Sequence, residues 1–228
     1  EAEEIKFFWV HPAISRSGAA SIEHAIDAFS EDVITYQDGR WVQIPARSGE
    51  EVIDFPQPVG SIEVFHSGHP EPITVPRYIA VKDVSCKGGI NPSWAGKEFM
   101  RLIDYGFGSL EPIDVKGASI SPREFLASFL KSALKGLGEG GQTFEKASRV
   151  IVKGKKNGRV EKHIYDRVGQ SWEAGIALSI GIQMLLNGAV KKKGVFPPEG
   201  CIEPGEFFQE LRKRGLRISE KIIAEAFV

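Results

Sequence analysis

The run Lys87-Gly88-Gly89-Ile90-Asn91 sets an ammonium and an amide on either side of two glycines. Glycines without side chains let a backbone approach a ligand closely, and the flanking groups then bind it. The same residues also suit a plain turn joining a strand to a helix. Arg77 follows Thr-Val-Pro, where proline holds the chain extended, and faces either a cleft or solvent. Ser17, Gly18, Ser21 and His24 surround a helix start, whose free N–H groups suit a carboxylate; ordinary capping by Ser17 uses the same groups. Ser171, Trp172 and Gly175 open an apolar helix and suit the floor of a cleft.

Other signals are weaker. Gly136–Gly141 spells G-x-G-x-x-G, a dinucleotide fingerprint that needs a strand before it and a helix after it. Here a helical run precedes the glycines, so no cofactor-binding loop is assigned to this chain. His66 and His69 flank Ser-Gly without a third ligand close in sequence, and the two cysteines, Cys86 and Cys201, make no C-x-x-C. Zinc spacing is therefore absent and no metal is expected. Lys87, His24 and Tyr165 are conceivable proton carriers, with no pairing that singles one out.

These residues need elements to hold them. The chain has 228 residues, is 42% hydrophobic and 26% charged, and has net charge −1. That composition fits one globular domain spanning 1–228 and gives no broad electrostatic case for nucleic acid or an anionic membrane. The most apolar run, 175–186, is too short to cross a bilayer. Few cysteines and no signal peptide point to the cytoplasm. The start Glu-Ala-Glu-Glu, without Met, reads as a segment of a longer polypeptide.

Strands are predicted at 5–11, 60–68 and 112–117. Hairpins at 33–45 and 148–166 turn at Asp38-Gly39 and Asn157-Gly158, pairs that supply positive φ. Helices are predicted at 15–29, 93–107 (Trp94, Phe99, Leu102 and Ile103 on one side), 121–136, 171–190 and 203–215. Ser121, Pro122 and Glu124 mark a capped start, and Gly136 an end. The 171–190 helix, apolar nearly all round, is expected to be buried, with Gly175 and Gly181 admitting another backbone. Pro70, Pro72 and Pro76 are expected to forbid a helix there. Strands and helices mix without regular alternation. The predicted class is α+β: a mixed, largely antiparallel sheet with helices packed on one face.

Four stretches together resemble the saccharopine dehydrogenase family, in its C-terminal, substrate-side domain. They are 15–26 with 71–77, then 81–107 with its strand, glycine turn and helix ending in Gly-Phe, then the hairpin 150–166, then 193–218. The resemblance implies the second domain of a Rossmann-linked dehydrogenase, holding an amino-acid-like substrate against a nicotinamide. It implies reversible hydride transfer at a carbon bearing nitrogen, with NAD or NADP bound mainly by an upstream Rossmann domain that this chain lacks. It further implies a homodimer, a role in lysine metabolism, and an isolated chain that is inactive. Ser85 and Cys86 stand where the family places an arginine and an aromatic. Serine does not replace a bidentate guanidinium, so Lys87 or Arg77 would supply the charge for a different acid. Two rival readings follow: a non-catalytic ligand-binding or oligomerisation module that keeps the fold, and an oxidoreductase for an aldehyde or polyamine using Cys86 as nucleophile.

Overall fold

The computed structural model describes residues 1–13, 19–139, 144–169 and 173–225. The elements run β1 (Ala2–Pro12), α1 (Ala19–Ser30), β2 (Val33–Gln37), β3 (Arg40–Ile44), β4 (Glu51–Phe55), β5 (Gly60–His66), α2 (Glu71–Thr74), β6 (Asp83–Asn91), α3 (Ser93–Leu102), β7 (Ile113–Val115), β8 (Ala118–Ile120), α4 (Pro122–Glu139), β9 (Lys146–Lys156), β10 (Arg159–Gly169), α5 (Glu173–Leu186), α6 (Pro198–Cys201), α7 (Pro204–Lys213) and β11 (Ser219–Glu225). A 3-10 turn, Val75–Arg77, follows α2, and a π-helical turn, Ile103–Phe107, extends α3.

Nine strands form one sheet in the order β11-β10-β9-β1-β6-β2-β3, with β5 also pairing β6 and β4 pairing β5. The β1–β6 pairing is parallel and the remaining pairings are antiparallel, as expected for an α+β domain. β1 is central, and its continuous apolar run buries both faces. Phe8 and Val10 join Phe55, Ile62 and Val64 beneath the β4–β5 hairpin. Ile5 packs with Val84 and Val75 on the side of the short helical turn. A third cluster, with Ile26, Ile103 and Leu126, joins α1 to the π turn and α4. A fourth joins α5 to α7 through Ile180, Met184, Leu211 and Leu216.

Both predicted hairpins turn where expected. Asp38 and Gly39 have φ of 49° and 77°, and Asn157 and Gly158 have 52° and 79°. Ser121 Oγ accepts the Glu124 N–H at 3.4 Å. Gly215, at φ 79°, ends α7, and Leu216 N–H closes back on the Leu211 carbonyl at 3.1 Å.

Several expectations are corrected. The proline-rich segment is helical at 71–77, because Pro72 and Pro76 fall in first turns, where their missing N–H groups would be unsatisfied anyway. Gly136 does not end α4, which runs to Glu139. The Gly136–Gly141 fingerprint thus begins inside a helix and lacks the strand a phosphate loop requires; Gly140 and Gly141 lie outside the described residues. Trp94 does not share the buried side of α3 and is 67% exposed. α5 buries Ile180 and Met184 but exposes Leu178, Ile182, Leu185 and Leu186, because α7 covers one side of it. A Cβ on Gly175 would meet nothing within 4 Å and one on Gly181 only a side-chain atom of Ile202 at 3.9 Å, so among the described residues no second backbone approaches either. β4, β8 and β11 were not anticipated. The Ser17 cap lies outside the described residues.

Candidate functional site

Where β1 ends, its last residues meet α1, the loop after β5, the open end of the β9–β10 hairpin, the start of α5 and the end of α7. They enclose a cavity of about 370 Å³. Trp9, Ala147 and Leu211 give it apolar walls, while His11, His24, His69, Lys146 and Arg167 bring the basic groups.

Hairpin register explains the cationic pair. With Asn157-Gly158 at the turn, Lys146 pairs with Gly169 and Ser148 with Arg167 at the opposite end. The two basic side chains therefore come together at one rim. Burial pushes the Lys146 ammonium below its ordinary pKa, with the nearby Arg167 charge adding to the effect. Arg167 pairs with Glu173 of α5, while its Nε is buried and finds no hydrogen-bond partner among the described residues.

The histidines are held differently. His11 Nδ1 lies 3.1 Å from the Pro12 carbonyl and donates to it, which leaves Nε2 to accept from the Ser21 hydroxyl at 3.3 Å. Burial lowers its pKa, so the neutral tautomer persists. His69 Nδ1 stands 2.8 Å from Glu71 Oε2. The His69 ring is 5.4 Å from Trp9 and 5.5 Å from His24. Behind it, Cys86 is 2% exposed; burial and the Glu71 charge push its thiol well above the usual range.

Of the predicted site residues, Ser21 and His24 line the cavity, whereas Lys87, Gly88, Gly89, Asn91 and Arg77 do not. Lys87 donates to the Gly49 carbonyl and to Glu51 Oε1, each at 2.6 Å, away from the cavity wall. Gly88 leaves room for the Trp9 indole, and a Cβ on Gly89 would come within 2.5 Å of the Glu63 carbonyl. Both glycines thus admit the protein's own groups. Asn91 is buried and donates to the Glu145 carbonyl at 3.0 Å. The Arg77 guanidinium lies 5.9 Å from the Trp41 ring centroid. Ser17 and Ser171 lie outside the described residues. Of the conceivable proton carriers, His24 lines the cavity, while Tyr165 lies beside Glu220 on the β10–β11 pair. His69 drew attention in the sequence only as a metal ligand lacking a third partner; the cavity residues missed there are His11, Lys146 and Arg167. Counting outward from Asn157-Gly158 was the available signal for the last two.

The sequence that builds most of this fold matches a known family model. The family model described as "Saccharopine dehydrogenase C-terminal domain" covers residues 21–216. The chain therefore belongs to the saccharopine dehydrogenase C-terminal domain family, a family of oxidoreductase domains.

Proposed function

We propose that this chain is the substrate-binding and catalytic domain of an NAD(P)-dependent oxidoreductase acting on a C–N bond of an amino-acid-like substrate. The observation that carries the reading is the cavity: Lys146 and Arg167 at one rim, His11, His24 and His69 in its walls, and apolar surface between them. An α-carboxylate takes the cationic rim, and an apolar or amine-bearing remainder takes the walls. The nicotinamide nucleotide supplies hydride acceptance and is held mainly by an upstream Rossmann domain. This chain contributes orientation, exclusion of water and a proton site at a histidine.

Calorimetric titration of the chain with a panel of amino acids and imino acids tests this. Carboxylate-bearing amines bind, and Lys146→Met or Arg167→Ala weakens them at least about tenfold. NAD or NADP alone does not bind measurably to the isolated chain, which does not turn over. Tight nucleotide binding by this chain, or ligand binding indifferent to both substitutions, overturns the reading.

A second reading, an oligomerisation module, draws on α5. Leu178, Ile182 and Leu185 recur at helical spacing and stay exposed, at 67%, 48% and 59%. A second copy of this chain would cover that stripe. Light scattering separates the readings: Leu178→Glu with Ile182→Glu converts a homodimer to a monomer while amino-acid binding persists.

A further inference from the structure

Beside the cavity, three different donor atoms converge from two separate segments. His69 and Glu71 flank Pro70, whose φ of −73° fixes the spacing of the pair at the head of α2. Cys86 projects from the middle of β6, where it is opposite Phe7 in the parallel pairing with β1. One ligand atom from each of the three lies within 4.8 Å of the other two.

We propose that His69, Glu71 and Cys86 bind one divalent transition-metal ion of the zinc class. The donor set is one nitrogen, one oxygen and one sulfur. A thiolate with an imidazole selects zinc-like ions over magnesium and calcium, which prefer oxygen alone. Metal–ligand bonds of about 2.0–2.3 Å place tetrahedral donors roughly 3.3–3.8 Å apart, so the described spacing needs an adjustment of about 1.5 Å or less. Side-chain rotation at His69 and Glu71 supplies it, while β6 keeps Cys86 fixed.

The surroundings suit an ion. Ser67 and Trp9 stand beside the Cys86 thiol, as outer neighbours of a thiolate ligand. Trp9 Nε1 also donates to Ser67 Oγ at 3.2 Å, tying the two together. Binding exchanges the His69–Glu71 hydrogen bond for two bonds to the ion, and the Cys86 thiol proton is released to solvent. His69 belongs to the cavity wall as well as the cluster. With three protein ligands, the ion keeps a fourth position for water or a ligand entering beside His24.

Cobalt(II) is the probe, because a thiolate ligand gives it a charge-transfer band that nitrogen and oxygen ligands do not. The full chain is stripped with a chelator and titrated with Co²⁺, then with Zn²⁺. One equivalent of Co²⁺ raises the band, and Zn²⁺ displaces it. Cys201→Ser keeps the band and Cys86→Ser removes it, with far-ultraviolet circular dichroism confirming that each variant is folded. His69→Ala and Glu71→Gln weaken Zn²⁺, in competition with a chromophoric chelator, at least about tenfold. No stoichiometric uptake by the unsubstituted chain, or a band lost in Cys201→Ser, overturns the proposal. Should Cys86→Ser fail to fold, the unsubstituted chain and Cys201→Ser decide the matter between them.

Discussion

Trp9 fills the space that a side chain on Gly88 would occupy. The two residues are opposite each other in the parallel β1–β6 pairing, and a Cβ at position 88 would overlap the indole ring. Trp9 in turn contacts Phe29, at 5.6 Å between ring centroids, and His69. Gly88→Ala therefore displaces a ring that holds one wall of the cavity. Expected is a loss of about 1–3 kcal/mol in urea unfolding, with a changed near-ultraviolet dichroism. Gly175→Ala, whose new Cβ would meet nothing within 4 Å among the described residues, is the comparison and gains up to about 1 kcal/mol. Equal effects at the two positions would contradict the packing described.

Thiol chemistry distinguishes the two cysteines. Cys86 is buried and its pKa is raised, whereas Cys201 is partly exposed with Sγ 3.5 Å from the Pro197 carbonyl. A thiol reagent modifies Cys201 in the folded chain and reaches Cys86 only after denaturant is added. Rapid modification of both in native buffer would revive Cys86 as a nucleophile for aldehydes.

Acid sensitivity follows from two other histidines. Burial is the largest cause lowering the pKa of both His11 and His66, and Lys87 adds to it at His66. A folded-state pKa below the unfolded value of 6.5 means that the unfolded chain binds the proton more readily. Their contribution is complete above pH 6.5 and is lost as the pH falls through the folded values. Unfolding free energies measured between about pH 7 and about pH 5 fall accordingly. His11→Gln and His66→Asn each make that decline shallower, and an unchanged slope in both would refute the assignment.

Across the β9–β10 hairpin, Arg149 grips Asp166 with two bonds of 2.6 and 2.9 Å, and its guanidinium lies 5.4 Å from the Phe55 ring. Both side chains are mostly buried, at 16% and 13% exposure. Asp166→Ala leaves the guanidinium without its carboxylate and costs about 2–4 kcal/mol; Arg149→Met with Asp166→Leu recovers a good part of it. A double variant no more stable than the single would show that the pair has no such coupling.

Local chemistry made part of the fold legible. Asp38-Gly39 and Asn157-Gly158 demand their turns, and Ser121-Pro122 announces a helix, because in each case neighbouring residues decide the outcome. β11 was missed because it depends on a distant partner: Lys221 faces Ile164 and Ile223 faces Lys162 across the edge of the sheet. β4 was missed for a different reason: it pairs with the neighbouring β5 through the turn Pro56–Val59, which carries no Asp-Gly or Asn-Gly signal. The exposure of Leu178 follows from where α7 lies, which helical periodicity in α5 does not encode. At the site, Gly88 and Gly89 carried a true signal of close approach, but sequence could not say that an indole and a carbonyl were approaching. His69, Glu71 and Cys86 are separated by a helical turn and a strand, and the sheet supplies their meeting.

The position of β1 governs the order in which the molecule can be completed. Its Phe7 hydrogen-bonds along a strand whose partner, Val150, is synthesised about 140 residues later. During translation one side of β1 must wait, apolar and unpaired, until the ribosome has delivered β9. Folding of this protein is therefore a late, long-range event, and a nascent chain stalled before residue 146 is a natural client for chaperones.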